Sequence, residues 1–313
     1  MIVMPRKSKE KLAYFDVLLR RGDIGDNEHL NLLVDLYKLR LDHVGKRRVD
    51  LQWSNVDVDG LLFHDFTCYD EMGQVQQIDT IFVCKHFVLV LDVINVAGRI
   101  DYNNYRRKFI RTREDGSREI MFNVVSQVKK NRELLEQQAS CWPEDVPIEA
   151  AVVIGNPETV IGKVPNLVPI FNMKDLQQTL SELVTKHEQV SINPTVVRNE
   201  LEELYKPLQS ETNNVYIPVR KGVLCNKCSD VMIHRSRAFV CMNCGWRDKD
   251  GEALRKALHD YRVLYGPQIS NKKFRTFFGV SHIQTANRML NRLCSNTIGV
   301  NKGRTYIIPD SQL

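Results

Sequence analysis

Two groups of residues in this sequence have the types and the spacing that chemistry requires. In the first group, Cys225-x2-Cys228 is followed, after twelve residues, by Cys241-x2-Cys244. Two such pairs can occupy the four corners of a zinc tetrahedron with a β-hairpin between them. A segment of about 30 residues also has too little core to fold without such an ion. The pattern predicts a structural Zn2+ site, with a disulfide pair or unrelated cysteines as the alternatives.

The second group is a pair of acids, Asp79 and Asp92, in two neighbouring β-forming runs, Ile78–Cys84 and Phe87–Ile94. If these runs form a hairpin that is symmetric about positions 85 and 86, the two acids lie opposite each other, with Cβ atoms about 4.5–5.5 Å apart. Carboxylates placed there repel unless a cation lies between them, and hard oxygen ligands suit Mg2+ or Mn2+. A register shifted by one residue, or acids at exposed strand ends, would remove the site.

The elements that must position these acids follow from the spacing of apolar residues. In the first predicted helix, the residues at helical spacing are Leu30, Leu33, Val34, Tyr37 and Leu41. The predicted helices are 26–41, 124–138, 173–184 and 194–205, and the predicted strands are 61–69, 78–84, 87–94 and 150–155. The resulting order of helix, three strands, helix and strand predicts an α/β fold with the two acids on the second and third strands.

The α/β body contains several short motifs in a fixed order: Gly25-Asp26-Asn27-Glu28, then Gln77-Ile78-Asp79, then Leu91-Asp92-Val93-Ile94-Asn95 with Gly98, then Asn123 and Gln127. Together they resemble the nuclease-related domain (NERD) family of the PD-(D/E)xK nuclease superfamily. The resemblance covers about residues 22–135, and the predicted element order agrees with the core of that superfamily. It implies a metal-dependent phosphodiesterase in which Asp79 and Asp92 bind Mg2+ or Mn2+. Glu28 would be the acid of the first helix, and Gln127 would help to position the site.

The third strand departs from the family pattern, which is an acid, any residue and a lysine. Asp92 replaces the usual glutamate, and Ile94 stands at the lysine position. Residues two apart on a strand share a face, so the lysine would lie beside Asp92, where it would orient or activate water and stabilise transition-state charge. Either activity is lost or another cation substitutes. Lys130, one helical turn beyond Gln127, is a candidate catalytic cation, with a solvated surface lysine as the alternative.

The C-terminal third of the chain is basic. From Val219 to Leu313 there are 17 Lys and Arg residues against 6 Asp and Glu residues, whereas the first 218 positions have a net charge of −5. A basic segment beside a mildly acidic body predicts a polyanionic partner. A solvated lysine-rich surface is the alternative.

Residues 251–313 have the pattern of a helix-turn-helix or winged-helix-like unit. Helices are predicted over Asn271–Phe278 and His282–Leu293, with Ser281 as the N-cap of the second helix. Strands over Thr297–Val300 and Arg304–Ile308 would form a wing. The residues predicted to contact nucleic acid are Lys272, Lys273, Arg275, Gln284, Thr285, Arg288, Arg292, Lys302 and Arg304. A protein-contact module or a packed helical cap is the alternative.

The polar segment 206–218, with proline near both ends, predicts a linker. The expected organisation is therefore a nuclease-related α/β domain (1–208), a four-cysteine zinc ribbon (219–250) and a helical unit (251–313). No apolar run approaches the roughly 18 residues of a membrane helix, and the N-terminus lacks the pattern of a secretory signal. The sequence predicts a cytoplasmic protein that acts on nucleic acid, and DNA in particular. A catalytically inactive nuclease fold that binds nucleic acid or regulates is the alternative.

Overall fold

The computed structural model describes residues 1–6, 8–23, 25–139, 142, 146–207, 218–235, 237–294, 296–299 and 303–310. The chain forms two compact units, Met1–Lys9 with Tyr37–Glu211 and Glu10–Leu36 with Thr212–Leu313. This division differs from the three predicted segments. Residues 10–36 group with the C-terminal part of the chain, and the cysteine-containing segment shares one apolar core with the terminal helices. Most of the predicted linker, residues 208–217, lies outside the described residues.

Both units contain helices and strands. The helices are α1 (Ser8–Arg21), α2 (Asp26–Gln52), α3 (Val124–Gln138), α4 (Leu176–Lys186), α5 (Pro194–Leu204), α6 (Glu252–Tyr265), α7 (Asn271–Phe278) and α8 (Ile283–Leu293). The strands of the first unit are β1 (Ile2–Met4), β2 (Leu61–Tyr69), β3 (Val75–Val83), β4 (Val88–Ile94), β5 (Arg99–Asn103), β6 (Lys108–Thr112), β7 (Arg118–Met121), β8 (Ile148–Ile154), β9 (Val160–Ile161) and β10 (Ile170–Asn172). Those of the second unit are β11 (Val223–Leu224), β12 (Val231–Arg235), β13 (Ala238–Cys241), β14 (Arg247–Asp248), β15 (Gln268–Ser270), β16 (Asn296–Ile298) and β17 (Thr305–Ile307).

The central sheet of the first unit has the strand order β1-β2-β3-β4-β8-β10. β2, β3 and β4 are antiparallel neighbours, and β8 runs parallel to β4 after the crossover through α3. This is the predicted order of helix, three strands, helix and strand, and the mixed α/β fold is confirmed. A second sheet, β7-β6-β5-β9, was not predicted; its strands β5, β6 and β7 lie in the sequence between β4 and α3.

Apolar side chains cover both faces of the central sheet. One core contains Val128 of α3 and Leu201 of α5, and the other contains Val49 of α2 and Leu180 of α4. Because β4 lies between these two cores, all seven of its residues are buried. This explains why β4 appears in the sequence as a nearly continuous apolar run in which one acid stands out.

Helix α2 differs from its prediction in length and in the face that it buries. The five residues whose spacing predicted the helix are exposed, whereas Leu32, Leu36 and Val49 are buried. The helix also continues to Gln52 instead of ending at Leu41. The apolar pattern stops earlier because the later turns carry Asp42, Lys46 and Asp50, which form ion pairs in the first unit.

The second unit is built around one core that includes Phe239, Leu254, Phe274 and Leu290. The buried guanidinium of Arg21 binds the carboxylate of Asp260 at 2.6 Å within this unit. The strands β11-β12-β13-β14 form an antiparallel sheet in that order, and β15-β17-β16 form another. Among the described residues, no helix combines the length and the apolar character that a transmembrane span requires.

Two local predictions in the C-terminal segment have different outcomes. The predicted wing strands pair antiparallel, with Thr297 opposite Tyr306. The predicted N-cap is wrong, because α8 begins at Ile283 with His282 as its N-cap and without a side-chain hydrogen bond. Residues 300–302, which include Lys302, lie outside the described residues.

Candidate functional site

Asp79 and Asp92 lie where β3 and β4 begin to separate. The two strands have the predicted register, with Thr80 opposite Leu91 and Val83 opposite Val88. The paired positions end at Thr80 and Leu91, one residue short of Asp79 and Asp92. The Asp79 carboxylate instead accepts a hydrogen bond from the Val93 N–H group at 3.0 Å. Both acids line the same cavity of about 130 Å3. The two acids therefore line one cavity, although they are not a directly opposed pair of the hairpin.

Asp92 is buried, with 5% of its surface exposed. Its Oδ1 atom accepts a hydrogen bond from the Asn131 side-chain amide at 3.2 Å, whereas its buried Oδ2 atom has no hydrogen-bond partner among the described residues. Burial, and then the nearby charge of Asp79, raise the pKa of Asp92 to about 7. An unpartnered buried carboxylate oxygen is costly, and a bound cation is one way to satisfy it.

Lys46 supplies a positive charge in this cavity. Its Nζ atom lies 2.7 Å from Oδ1 of Asp79 and 2.9 Å from Oδ2 of Asp42, and only 10% of the side chain is exposed. Burial lowers the pKa of Lys46, but the charges of Asp79 and Asp42 outweigh burial and leave the pKa above its ordinary value. Lys46 is therefore a charged group beside one of the two acids.

Two glycines allow α2 to lie close enough for this contact. A Cβ atom on Gly45 would collide with the side chain of Asn95, which follows β4. A Cβ atom on Gly155, which follows β8, would lie 2.7 Å from the carbonyl oxygen of Gly45. Glycine in the middle of a helix costs about 1 kcal/mol relative to alanine, so the close approach gives Gly45 a packing role.

Ile94 occupies the position at which the resemblance expects lysine. It lines the cavity beside Asp92, and its buried side chain belongs to the core that also contains Val90 and Val128. The strand therefore contributes an apolar group, and the cation in the cavity comes from α2. Lys130, the substitute considered from the sequence, is exposed and does not line the cavity.

Helix α3 contributes one predicted residue and one unpredicted residue. Gln127 lines the cavity with an exposed side chain, and Asn131, one helical turn later, binds Asp92. Phe122, which precedes α3, is also part of the lining. Glu28 belongs to the second unit, where its carboxylate accepts a hydrogen bond from the Gly25 N–H group at 3.3 Å; the residues that line the cavity all come from the first unit.

A buried arginine supports β3 at the level of Asp79. The Arg6 guanidinium donates hydrogen bonds to Asp50 at 2.8 and 2.9 Å, to Asp65 at 3.1 Å and to the main-chain carbonyl of Asp79 at 3.0 Å. Asp65 adopts a left-handed backbone conformation with φ 50°, which is uncommon for a residue other than glycine. The sequence pattern did not single out Arg6, because its partners are 44 to 74 positions away.

The donor set of the cavity fits a hard divalent cation. Asp79 and Asp92 offer carboxylate oxygens, and one Asp92 oxygen lacks a partner in the part of the chain that the structure describes. Oxygen ligands of this kind are those that Mg2+ and Mn2+ prefer. The residues present therefore suit a metal together with a charged lysine, which is the combination that phosphodiester chemistry uses.

The four cysteines of the second unit form a separate candidate metal site. The sulfur atoms of Cys225, Cys228, Cys241 and Cys244 all lie within 4.8 Å of one another. Cys228 and Cys241 have sulfur atoms 3.4 Å apart, and those of Cys225 and Cys244 are 3.6 Å apart. Four thiolates at the usual zinc–sulfur distance of about 2.3 Å would be separated by a similar spacing. All four cysteines are free in the structure, an arrangement that suits a metal site better than the disulfide alternative.

The two CxxC turns have the same local structure. Ser229 donates its N–H group to the Cys225 carbonyl at 2.9 Å, and Gly245 donates to the Cys241 carbonyl at 3.0 Å. Both donors have positive φ angles, 60° and 71°. The Lys227 N–H group also donates to the Cys225 sulfur at 3.4 Å, as expected for a thiolate ligand. The arrangement is that of a zinc ribbon.

The predicted nucleic-acid contacts are mostly on the surface of the second unit. The exposed members are Lys272, Lys273, Gln284, Arg288, Arg292 and Arg304. Thr285 is half-buried, and the half-buried Arg275 donates a hydrogen bond to the side chain of Asn271 at 3.0 Å. Phe239 of β13 does not belong to this surface, because its ring lies in the core of the second unit.

Comparison with known proteins adds one match. Residues 42–155 match the family model of the nuclease-related domain, NERD. This range includes Asp42, Lys46, Asp79, Asp92 and Gln127 and begins after Glu28. No curated protein and no solved structure matches the chain.

Proposed function

We propose that this protein is a DNA-acting nuclease that hydrolyses phosphodiester bonds with Mg2+ or Mn2+, because residues 42–155 match the family model of the nuclease-related domain. The observation that carries the proposal is the contact between Lys46 and Asp79, in the cavity that Asp92 also lines. Ile94 leaves the third strand without the positive charge of the family's lysine. Lys46, on α2, supplies a positive charge in its place.

The residues that line or support the cavity have different proposed roles. A divalent cation held by the carboxylates of Asp79 and Asp92 would polarise the phosphate and the attacking water. Asn131 keeps Asp92 oriented through its side-chain amide. Lys46 stabilises the negative charge that develops on the phosphoryl oxygens, which is the role of a cation in a water-poor site. Gln127, exposed at the rim of the cavity, orients the phosphate or the attacking water.

The second unit has the proposed role of an anchor on nucleic acid. Its excess of basic residues suits phosphate contacts, and Arg288 and Arg292 are exposed on α8. A structural Zn2+ ion held by the four cysteines would fix the ribbon beside these helices. Four free cysteines suit a reducing compartment, so the cytoplasm is the proposed location.

The second candidate is a nuclease fold that binds nucleic acid without cleaving it. The observation that favours it is the burial of Ile94 in the core, where the third strand offers no charge beside Asp92. In that case Lys46 would only neutralise Asp79. The two candidates differ in one measurable property, which is cleavage.

The test uses the purified full chain with supercoiled plasmid and with a single-stranded oligonucleotide, in Mg2+, in Mn2+ and in EDTA. Asp79→Asn and Asp92→Asn remove the proposed ligands and keep the side-chain shape. Asp59→Asn is the matched control, because Asp59 is exposed in the same unit and does not line the cavity. We expect metal-dependent cleavage that falls at least about 100-fold in the two ligand variants and stays unchanged in the control.

Two results would contradict the nuclease proposal. Cleavage that survives Asp79→Asn and Asp92→Asn would have to come from another site or another protein. A wild-type chain that binds both substrates in a salt-sensitive way, and cleaves neither with either metal, would establish the non-catalytic candidate instead.

A further inference from the structure

The hairpin formed by β5 and β6 presents an exposed basic and aromatic tip. Its turn, residues 104–107, has the sequence Asn-Tyr-Arg-Arg, and Lys108 follows as the first residue of β6. Tyr105 is 95% exposed, and Arg106, Arg107 and Lys108 are also exposed. An aromatic ring in such a position gains nothing from the protein core, so its chemistry is available to a partner.

The base of this hairpin is fixed in the core of the first unit. Ile100 and Phe109 are buried in the same cluster as Val90 and Val128. The ring of Tyr102 packs edge-on against Phe109, with the ring centres 5.0 Å apart. The tip is therefore presented by a supported element, which limits the entropy that a partner must remove when it binds.

The turn itself is held by a local hydrogen bond. The N–H group of Arg106 donates to the side-chain oxygen of Asn103 at 2.8 Å, and Arg107 has a left-handed φ of 50°. This geometry resembles the Asx turns that order short loops.

The base and the tip of the hairpin differ in how their charges are arranged. Arg99 binds Asp101 at 2.8 Å, and Arg111 and Arg113 bind Glu119 at 2.8 and 2.5 Å. The side chains of Arg106, Arg107 and Lys108, in contrast, have no carboxylate partner in the part of the chain that the structure describes. Three neighbouring cations of this kind form a site of positive potential that suits phosphate groups.

The hairpin is joined to the candidate active site at both ends. β5 begins five residues after Ile94, and Arg111 of β6 donates a hydrogen bond to the Ala97 carbonyl in that connection at 2.6 Å. After β7 the chain reaches Phe122, which is 60% exposed and lines the cavity. A nucleic-acid strand that contacts the tip and enters the cavity would therefore follow this hairpin, which belongs to the same unit as the cavity.

We propose that the tip formed by residues 105–108 binds a single-stranded segment of nucleic acid and guides it to the cavity. Arg106, Arg107 and Lys108 contact consecutive phosphates, and Tyr105 stacks on one base. Stacking on a side chain needs a base that is free of its own neighbours, which selects single strands over intact duplex. The direction of this strand toward the cavity rests on the proposed nuclease function, whereas binding at the tip does not.

The test measures binding of the full chain in EDTA, so that cleavage plays no part. Fluorescence anisotropy with a labelled single-stranded oligonucleotide and with the matching duplex is recorded from low to moderate salt. Arg106→Glu/Arg107→Glu removes two phosphate contacts and should lower the salt slope for the single strand by about 1.4. The matched control is Lys85→Glu/Lys174→Glu, which reverses two exposed lysines of the same unit outside the hairpin.

The aromatic contact is tested separately. Tyr105→Ala should weaken single-strand binding about fivefold or more and leave duplex binding unchanged. Tyr69→Ala, at the exposed end of β2, is the matched control. An oligonucleotide that carries a photoreactive base should cross-link to Tyr105 in the wild-type chain.

The outcomes separate this inference from the proposed function. Unchanged salt slopes in the charge variant, or cross-links that avoid residues 105–108, overturn the inference even if the protein cleaves DNA. A weakened single-strand complex with cross-linking at Tyr105, in a chain that cleaves nothing, would support the binding surface and refute the nuclease. Equal weakening of duplex and single strand by Tyr105→Ala would refute the selection of single strands.

Discussion

Replacing Lys46 by methionine tests whether a helix lysine supplies the charge of the candidate site. Methionine keeps most of the length and volume of the lysine stem and removes the ammonium group. Both partners are largely buried, since 10% of the Lys46 side chain and 15% of the Asp79 side chain are exposed. The substitution therefore leaves the Asp79 carboxylate close to Asp92 without its neutralising cation.

The expected loss of stability follows from the distance between the charges. At 2.7 Å and an effective dielectric constant of 20, the attraction between Lys46 and Asp79 is about 6 kcal/mol before desolvation is subtracted. Removing one member of a buried pair costs about 3–5 kcal/mol. Asp79 keeps the hydrogen bond from Val93 and some contact with solvent. We therefore expect Lys46→Met to lower the free energy of unfolding by about 2–4 kcal/mol.

The assay is urea unfolding in EDTA, followed by the fluorescence of Trp53 and Trp142 in the first unit. A Trp246→Phe background removes the signal of the second unit. Adding Asp79→Asn to Lys46→Met removes both charges and should restore most of the lost stability, which gives a large coupling energy in a double-mutant cycle. Lys130→Met, on the exposed face of α3, should change stability by less than about 0.5 kcal/mol.

Cleavage by the same variants completes the test. Loss of the transition-state charge contact should lower the cleavage rate about 100-fold or more in Lys46→Met and leave Lys130→Met near the wild-type rate. A coupling energy near zero would refute the buried ion pair. Normal cleavage by Lys46→Met would refute the catalytic role of Lys46. Loss of cleavage in Lys130→Met would instead support Lys130 as the catalytic cation.

Three further predictions follow from the described contacts. Burial and a neighbouring carboxylate raise the pKa of Asp92 to about 7, so the folded chain holds that proton more tightly than the unfolded chain. The free energy of unfolding in EDTA should therefore fall as the pH rises from about 4 to about 7. Urea titrations at stepped pH measure this fall, and Asp92→Asn should abolish it. Gly45→Ala should lower the melting temperature although alanine favours helices, because the added methyl group meets a neighbouring side chain. Gly25→Ala, whose methyl group meets nothing within 4 Å, should lower it much less. Cys228→Ser should remove the bound zinc, measured as metal content per chain, and Cys294→Ser should keep it, since Cys294 is a buried core residue and not a member of the cluster.

The sequence alone was sufficient for the features that depend on local spacing. The zinc cluster follows from two CxxC pairs, each of which closes a turn within five residues. The register of β3 and β4 follows from a short connection, because a hairpin that turns at residues 85 and 86 leaves only one symmetric pairing. Gln127, which the resemblance assigns to the site, lines the cavity, and its role stays a prediction.

The exposed tip of the β5–β6 hairpin also had a local signal, a tyrosine followed by three basic residues. Its significance was not apparent from the sequence, because basic turns are common and usually solvated. Only the tertiary structure distinguishes this turn from an ordinary solvated one. It buries Ile100 and Phe109 in the core, and it pairs the other arginines of the hairpin with carboxylates.

The cation of the site was decided by the tertiary structure. Lys46 and Asp79 are 33 positions apart, and Arg6 reaches the carbonyl of Asp79 across 73 positions. The only local signals were the i, i+4 spacing of Asp42 and Lys46 and a glycine at position 45 inside the helix. The apolar spacing that predicted the helix pointed to the wrong face, since periodicity identifies a helix but does not record which face meets the sheet. Contacts between distant segments depend on how helices pack on a sheet, and that packing is a property of the whole fold.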